Sequence, residues 1–555
     1  MRILVAQMTR MGDTLQTSPL VQSLRCKYPQ AHIALMVRRL GETIAKNQPG
    51  IDEVIVYDED QMFLDLRSQD SDRLLRAYDT AEALIQRLRE AHFDLVFNCT
   101  HSIASAMLLK LAECPNVVGA HLSDDWQFIL RGGWTNYFFT SCLCREYNDI
   151  NICDTFQRFL PDGVLCQELT FGISEQDRLD AAALLEANGI ASNVTTFCFQ
   201  LGASDNAKRW PAERFAELAK LLVKRYPSRI LLLGVQEESG FGQEFERHAP
   251  GLALHLFGQT SLGQLAAILE RSTALVTNDT GTMHMAAAAK CPVILVSVGY
   301  VHFRETGPYG EGHCAVEERR ADVGRTDLLR VAGAAQCRIR AGHVLLALEH
   351  ALGKTVNADI NAAELEDVDV HISQFAPDGC LVWSPIVKRP LTKTDVLRIA
   401  YRAMWLEFLQ AAHQDAVSAS LSAYLQHHSP TPELDTWIED LCRAFDGLAS
   451  IAQEGTAQSA ALIDSLTGKR DLRAAQELVG RLVQLDDQIR LHGEMYTACR
   501  PLALIARFER DNLEGADPLA LAETTQRIYA DLAKRAGLMN QKLKDIAGLV
   551  ATDTP

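Results

Sequence analysis

The segment Thr277–Ala289, TNDTGTMHMAAAA, limits what this chain can fold into more than any other stretch. Apolar runs flank it, ALV before and PVILVSVG after, and both read as buried strands. Met283 to Ala289 reads as a helix of small residues, so Asp279, Thr280 and Gly281 must turn between strand and helix. In an open parallel sheet, ligands bind beyond the carboxyl ends of strands, and a helix N-terminus there offers N–H groups and partial positive charge to an anion. Thr280, Gly281 and Thr282 suit a phosphate. Asp279 would repel one and is better placed for sugar hydroxyls. His284, one turn into the helix, faces either the site or the sheet. The same turn also reads as a simple N-cap, so its meaning depends on the rest of the chain.

At 555 residues the chain is too long for one ordinary domain. Strands and helices alternate from the start: ILVAQM, then a helix over TLQTSPLVQSLRCKYP, then AHIALMV, IDEVIVY and FDLVFNCT. MRILVAQM is followed at once by Thr9, Arg10 and Asp13, so it reads as a first strand and not as a signal peptide. Asp13 falls just past that strand, where such sheets place working residues. From Leu122 to Gln167 the alternation weakens, and Trp126, Trp134, Tyr137, Phe138 and Phe139 read either as core or as sugar-stacking platforms. A second series follows: VTTFCFQLG, a helix opened near Pro211, RILLLG, a helix over SLGQLAAILERS, TALVTN and CPVILVSVG. Two Rossmann-like series imply two domains facing a cleft, residues 1–170 and 171–345, in an α/β chain. Residues 346–390 read as linker, and 391–555 as an α-helical extension with no catalytic constellation.

A formal charge of -17 argues against nucleic acid as a partner. The fourteen cysteines form no CxxC pair and sit mostly in apolar contexts, which reads as buried reduced thiols and no metal site. No run of 18 or more apolar residues suggests a membrane span. No GxGxxG follows the first strand, which excludes a nicotinamide-dependent oxidoreductase. In GASDNAKRWP, Ser204 and Lys208 lie between a strand end and a helix start, where a hydroxyl and an ammonium can hold a diphosphate. Together with DTGTMH in the same half and Asp13 in the other, this points to a sugar-nucleotide site.

MTRMGDTLQTSPLVQSLRCKYPQAHIALMV, QLGASDNAKRWPAERFAELAKLL, VTNDTGTMHMAAAAKCPVILVSVG and RETGPYG resemble, in matching order, glycosyltransferase family 9, the ADP-heptose:lipopolysaccharide heptosyltransferases. The resemblance implies a GT-B fold and inverting, metal-independent transfer from ADP-heptose to a lipopolysaccharide-core or related surface-glycan acceptor. It implies no cofactor, the ADP-sugar being a donor substrate. The acceptor would sit on the N-terminal domain and the donor on the C-terminal one. By position, Asp13 looks like the catalytic base. Ser204, Lys208, Thr280 and Gly281 look like the diphosphate cradle, Asp279 the holder of sugar hydroxyls, and Glu238 a ribose ligand. His284 also matches a family position, although helix-to-sheet packing accounts for it as well. The family places such enzymes in the cytoplasm or peripherally at the inner membrane face, with a lipid-linked glycan as acceptor. The helical extension is foreign to compact members and suggests oligomerisation. Another nucleotide sugar, a protein acceptor, or a silent GT-B scaffold with a helical interaction domain are the alternatives.

Overall fold

The computed structural model describes residues 1–319, 337–354, 365, 367–429, 434–468 and 472–552. The chain forms two compact units, Met1–Thr80 with Ile150–Arg389, and Ala81–Asp149 with Pro390–Pro555. These units do not follow the expected boundaries at 170 and 345.

The first unit opens with β1 (Arg2–Gln7), whose Ile3, Leu4, Val5 and Ala6 are fully buried. Helices α1 (Met11–Gln16) and α2 (Ser18–Lys27) follow, the second with Pro19 in its opening turn, where a missing N–H costs nothing. β2 (His32–Arg38) pairs parallel with β1, and β3 (Glu53–Tyr57) parallel with β2. Three strands of the second unit come next: β4 (Leu95–Asn98), β5 (Val117–Leu122) parallel to it, and β6 (Phe128–Arg131) antiparallel to β5.

Back in the first unit, eight strands make one sheet. They are β7 (Thr195–Gln200), β8 (Ser228–Leu233), β9 (Ala253–His255), β10 (Ala274–Thr277), β11 (Val293–Ser297), β12 (Cys314–Glu318), β13 (Val368–Phe375) and β14 (Leu381–Pro385). Their order is β14-β13-β12-β11-β10-β7-β8-β9. The six from β9 to β12 are parallel, as near-continuous apolar strands buried on both faces must be. The order reverses between β7 and β10, so the loops after these two strands open at the switch point where doubly wound sheets bind ligands. β13 and β14 then run antiparallel. The stretch expected as linker, 346–390, thus carries two strands. The cause is legible in VDVHISQF, which alternates Val368, Val370 and Ile372 with polar residues and continues the sheet beyond β12.

In the second unit the helical extension is integral. The helix Arg500–Asp511 lies against β6, and Asn512 just beyond it accepts from the Leu130 amide at 2.7 Å and donates to the Leu130 carbonyl at 3.0 Å and to Asn136 at 2.8 Å. One side chain therefore satisfies both backbone groups of an edge residue that β5 leaves unpaired. Phe508 packs on Phe139, itself against Phe128. Trp134, Tyr137 and Phe138 are buried, and Trp134 and Trp405 both meet Tyr137 edge-on, so these aromatics are core; Trp126 alone of the five is strongly exposed. The helix Lys393–Phe408, capped by Thr392 with Asp395 three residues on, sends Arg398 to Asp149 and Arg402 to the Asp149 carbonyl at 3.0 Å. These buried guanidiniums satisfy what would otherwise be costly charges.

Asn512→Ala leaves the Leu130 amide and carbonyl unpaired and should lower stability by about 1–3 kcal/mol, read from the shift of the urea midpoint. Asn512→Asp keeps the acceptor alone and should fall between the two.

Candidate functional site

Asp13 is the third residue of α1, and its Oδ2 accepts from the Arg10 amide at 3.1 Å. Thr9 Oγ1 lies 2.6 Å from the same oxygen and 2.7 Å from Gln7 Oε1. A hydroxyl has one proton, so with the Gln7 amide turned over Gln7 donates to Thr9 and Thr9 donates to Asp13. The carboxylate is thereby fixed in direction by a strand-end residue and the turn between β1 and α1.

What faces it is His284, on the helix Gly281–Ala288 that follows β10. A Cβ on Gly12 would stand 2.7 Å from His284 Cδ2, so the imidazole lies directly on the α1 backbone and only glycine leaves it room. His284 is 6% exposed, and among the described residues its Nδ1 has no hydrogen-bond partner. Burial lowers the pKa of the ring, against the pull of the Asp279 and Asp13 carboxylates, which holds it neutral near pH 7. His284 thus packs helix against helix, whereas the sequence allowed packing on the sheet.

The loops after β7 and β10 build the side expected to take the donor. Fully buried Asn278 ties them together: its Oδ1 accepts from the Trp210 amide at 2.9 Å, and its Nδ2 donates to the carbonyls of Leu201 and Gly202 at 2.9 and 3.1 Å. Trp210, buried as well, donates its ring N–H to the Ile339 carbonyl at 2.9 Å. Between these pins Lys208 reaches across, and its Nζ sits 2.9 Å from Asp279 Oδ2 and 4.7 Å from the centre of the Tyr300 ring. The Tyr300 hydroxyl donates to Asp205 at 2.8 Å. That bond and the Ala207 amide hold the Asp205 carboxyl below its ordinary range, the amide contributing more. Gly299 (φ 70°) lets the chain after β11 pass over the Ala207 carbonyl, where a Cβ would stand 2.2 Å away.

Thr280 is the N-cap residue of the Gly281 helix and makes no side-chain cap hydrogen bond; its hydroxyl lies 3.3 Å from that of Thr277. The N-cap reading is therefore true of position and incomplete as an explanation, because the side chain expected to cap does not. Ser204 stands exposed on the loop after β7. Glu238 has its Oε2 engaged by the Val235 amide at 3.1 Å and Gln200 Nε2 at 2.9 Å, with the carboxylate lying against Gly202. Gln200 Oε1 in turn accepts from Thr282 at 3.4 Å.

RETGPYG, by contrast, braces the fold. Arg304 donates to Glu317 on β12 at 3.0 Å, and His371 on β13 meets the same carboxylate at 3.0 Å. Burial works against the ionised form of Glu317, yet Arg304 and His371 hold its carboxyl well below the usual range. Tyr309 donates to buried Asp154 at 2.9 Å.

The structure thus gathers Asp13, His284, Asp279, Lys208, Thr280 and Gly281 around the facing ends of two helices and the switch-point loops. It leaves Ser204 at the loop surface and ties Glu238 into that loop. Asn278, Gln200 and Tyr300 enter only with the structure, and Thr9, named in the sequence only as following the first strand, gains its place beside Asp13 there. Asn278 adjoins the motif and was within reach, whereas Tyr300 has no local signal.

Residues 81–328 match the profile of glycosyltransferase family 9 (heptosyltransferase). The chain carries a glycosyltransferase family 9 domain, and it is a glycosyltransferase. It is 26% identical over 305 residues to lipopolysaccharide heptosyltransferase 2 of Escherichia coli K12, covering 53% of this chain and 82% of that one. Against lipooligosaccharide heptosyltransferase 2 of Haemophilus ducreyi it is 25% identical over 322 residues, 54% and 83% of the two chains. The crystal structure of a family 9 glycosyltransferase from Veillonella parvula superposes with a TM-score of 0.53 at 20% identity, covering 64% of this chain and 98% of that one. The fold is GT-B with a C-terminal helical region. The profile match begins after Asp13, so the acidic residue of α1 stands on geometry and motif order.

Gly12→Ala should force His284 away from α1 and cost about 1–3 kcal/mol as an overpacked contact. Gly12→Ala with His284→Ala should recover most of that loss, and purely additive urea midpoints would show that the two residues do not collide.

Proposed function

We propose that this glycosyltransferase moves a heptose from ADP-heptose to a lipopolysaccharide-core or related surface-glycan acceptor with inversion and without a metal ion, Asp13 acting as general base. The observation that carries the reading is the contact of α1 with the Gly281–Ala288 helix through Gly12 and His284, with the charges of Asp13 and Asp279 both felt at the imidazole. An acceptor hydroxyl beside Asp13 Oδ2 would lose its proton to the carboxylate as its oxygen attacks the anomeric carbon, and the leaving diphosphate would depart from the opposite face.

Charge that develops on the diphosphate falls to Lys208 and to the N–H groups of Gly281 and Thr282. The Lys208–Asp279 pair fits a junction, the ammonium toward phosphate and the carboxylate toward sugar hydroxyls. Ser204 and Thr280 complete the cradle from the two loops. Glu238 keeps an oxygen against Gly202 at the same rim, where a ribose would lie. The names of the relatives supply heptose and lipopolysaccharide.

In this reading residues 1–170 hold the acceptor and 171–345 the donor. The acceptor is a lipid-linked glycan, and the enzyme works in the cytoplasm or at the inner face of the membrane. Among the described residues no helix is long and apolar enough to cross a membrane. The extension serves assembly: Val479, Val483, Leu491 and Met495 stand exposed on the helix Leu472–Met495 in register with a spacing of four.

Asp13→Asn should lower transfer by about 10²- to 10⁴-fold while calorimetry finds ADP-sugar affinity unchanged; normal turnover in that variant would remove the base. Lys208→Ala should weaken ADP binding by about 1.5–3 kcal/mol. A thermal-shift comparison of ADP-, GDP- and UDP-sugars should single out the ADP-sugar, since only a bound donor stabilises the fold.

A further inference from the structure

Cys26 and Cys166 belong to no part of the transfer site, yet the fold brings them together. Cys26 is on the last turn of α2 and exposed; Cys166 is on the segment after the helix Ile152–Gln157 and half-buried. That segment runs along α2 in register. Lys27 Nζ donates to the Pro161 carbonyl, and Ser23 Oγ lies 2.6 Å from the Val164 carbonyl oxygen and 3.8 Å from Cys166 Sγ. The Cys166 amide donates to Gln157 Oε1 at 2.5 Å, which fixes its backbone. Ser23 and Cys26 are three residues apart on α2 and so share a face, which turns Cys26 toward the same segment that Ser23 meets at Cys166.

Of the fourteen cysteines, Cys26 and Cys142 are the exposed ones, and most of the rest are buried. A buried thiol is inert, whereas an exposed thiol beside a second one can exchange and then close.

We propose that Cys26 and Cys166 form a thiol–disulfide exchange site that takes a small-molecule disulfide such as oxidised glutathione. Cys26, as thiolate, attacks one sulfur of the reagent; the S–S bond breaks, one thiolate of the reagent leaves, and a mixed disulfide remains on Cys26. The Cys166 thiolate then attacks Cys26 Sγ and expels the second reagent thiolate, leaving a Cys26–Cys166 bond. Two electrons pass from the protein to the reagent, and the two protons of the protein thiols end on the released thiols. The order follows from access. Burial, with the neighbouring Cys26, pushes the Cys166 thiol up against the opposing Ser23 bond, so Cys166 is the poorer first nucleophile and the better placed second one.

The proposal stands independently of which sugar the enzyme transfers. Its test is oxidation of the full-length reduced protein with oxidised glutathione, followed by intact-mass and peptide analysis. Wild type should show a Cys26–Cys166 cross-linked peptide and no lasting glutathionyl group on Cys26. Cys166→Ser should trap one glutathionyl group on Cys26, and Cys26→Ser should show neither product. Cys142, the other exposed cysteine, lies on the helix Gly133–Leu143 of the second unit, so it serves as the internal control and should carry its adduct in every variant. A lasting adduct on wild-type Cys26, a partner other than Cys166, or unchanged oxidation of Cys166 in Cys26→Ser would overturn the assignment. Because thermal midpoints of the reduced variants report folding separately, an unfolded variant cannot be mistaken for an unreactive one.

Discussion

The contact of His284 with the backbone at Gly12 is the constraint on which the site depends. Two short helices, one after β1 and one after β10, meet closely enough that a methyl group would be in the way. An imidazole pressed between them is dehydrated, and dehydration keeps it uncharged beside two acids. A positive ring there would pair with the two carboxylates, which the proposed reading needs to stay available. The histidine therefore does more as a neutral spacer, setting how far Asp13 stands from the turn after β10, than it could as a charged partner.

On the other side of that spacer the charges are arranged in advance. Lys208 is held by Asp279 at one flank and by the face of Tyr300 at the other, and Tyr300 is itself anchored on Asp205. An ammonium placed in this way has little freedom left to lose, and under the proposed reading such preorganised charge would meet a leaving diphosphate without reorganisation at the moment of reaction. The buried amide of Asn278 does the equivalent work for the backbone. It ties the two switch-point loops together, so that Lys208 on one and Asp279 on the other are held by the same buried side chain.

The sheet was legible in the chain because parallel sheets announce themselves: TTFCFQ, RILLLG, TALVT and PVILVS are apolar runs with Gly or Asn at their ends or within two residues beyond, and the turns after them carry the candidate residues. The residues that orient the site were harder to see, since they act across long separations. Tyr300 serves a lysine 92 positions earlier only because β11 and β7 end on the same side of the sheet. β13 and β14 escaped notice for a different reason. β13 alternates at period two and β14 is a short run, LVWSP, buried throughout, but they come after the βαβ rhythm has stopped and run antiparallel. Nothing near residue 130 hints that Asn512 completes its hydrogen bonding.

That last pairing bears on how the extension can have arisen and how it can be lost. A strand at the margin of a sheet is an invitation to any other strand, and here the invitation is withdrawn by an amide supplied from nearly four hundred residues downstream. The helices after Pro390 accordingly cover this margin of β6. In a fragment that lacks them, the Leu130 amide and carbonyl would lose these partners and leave that margin open to another strand.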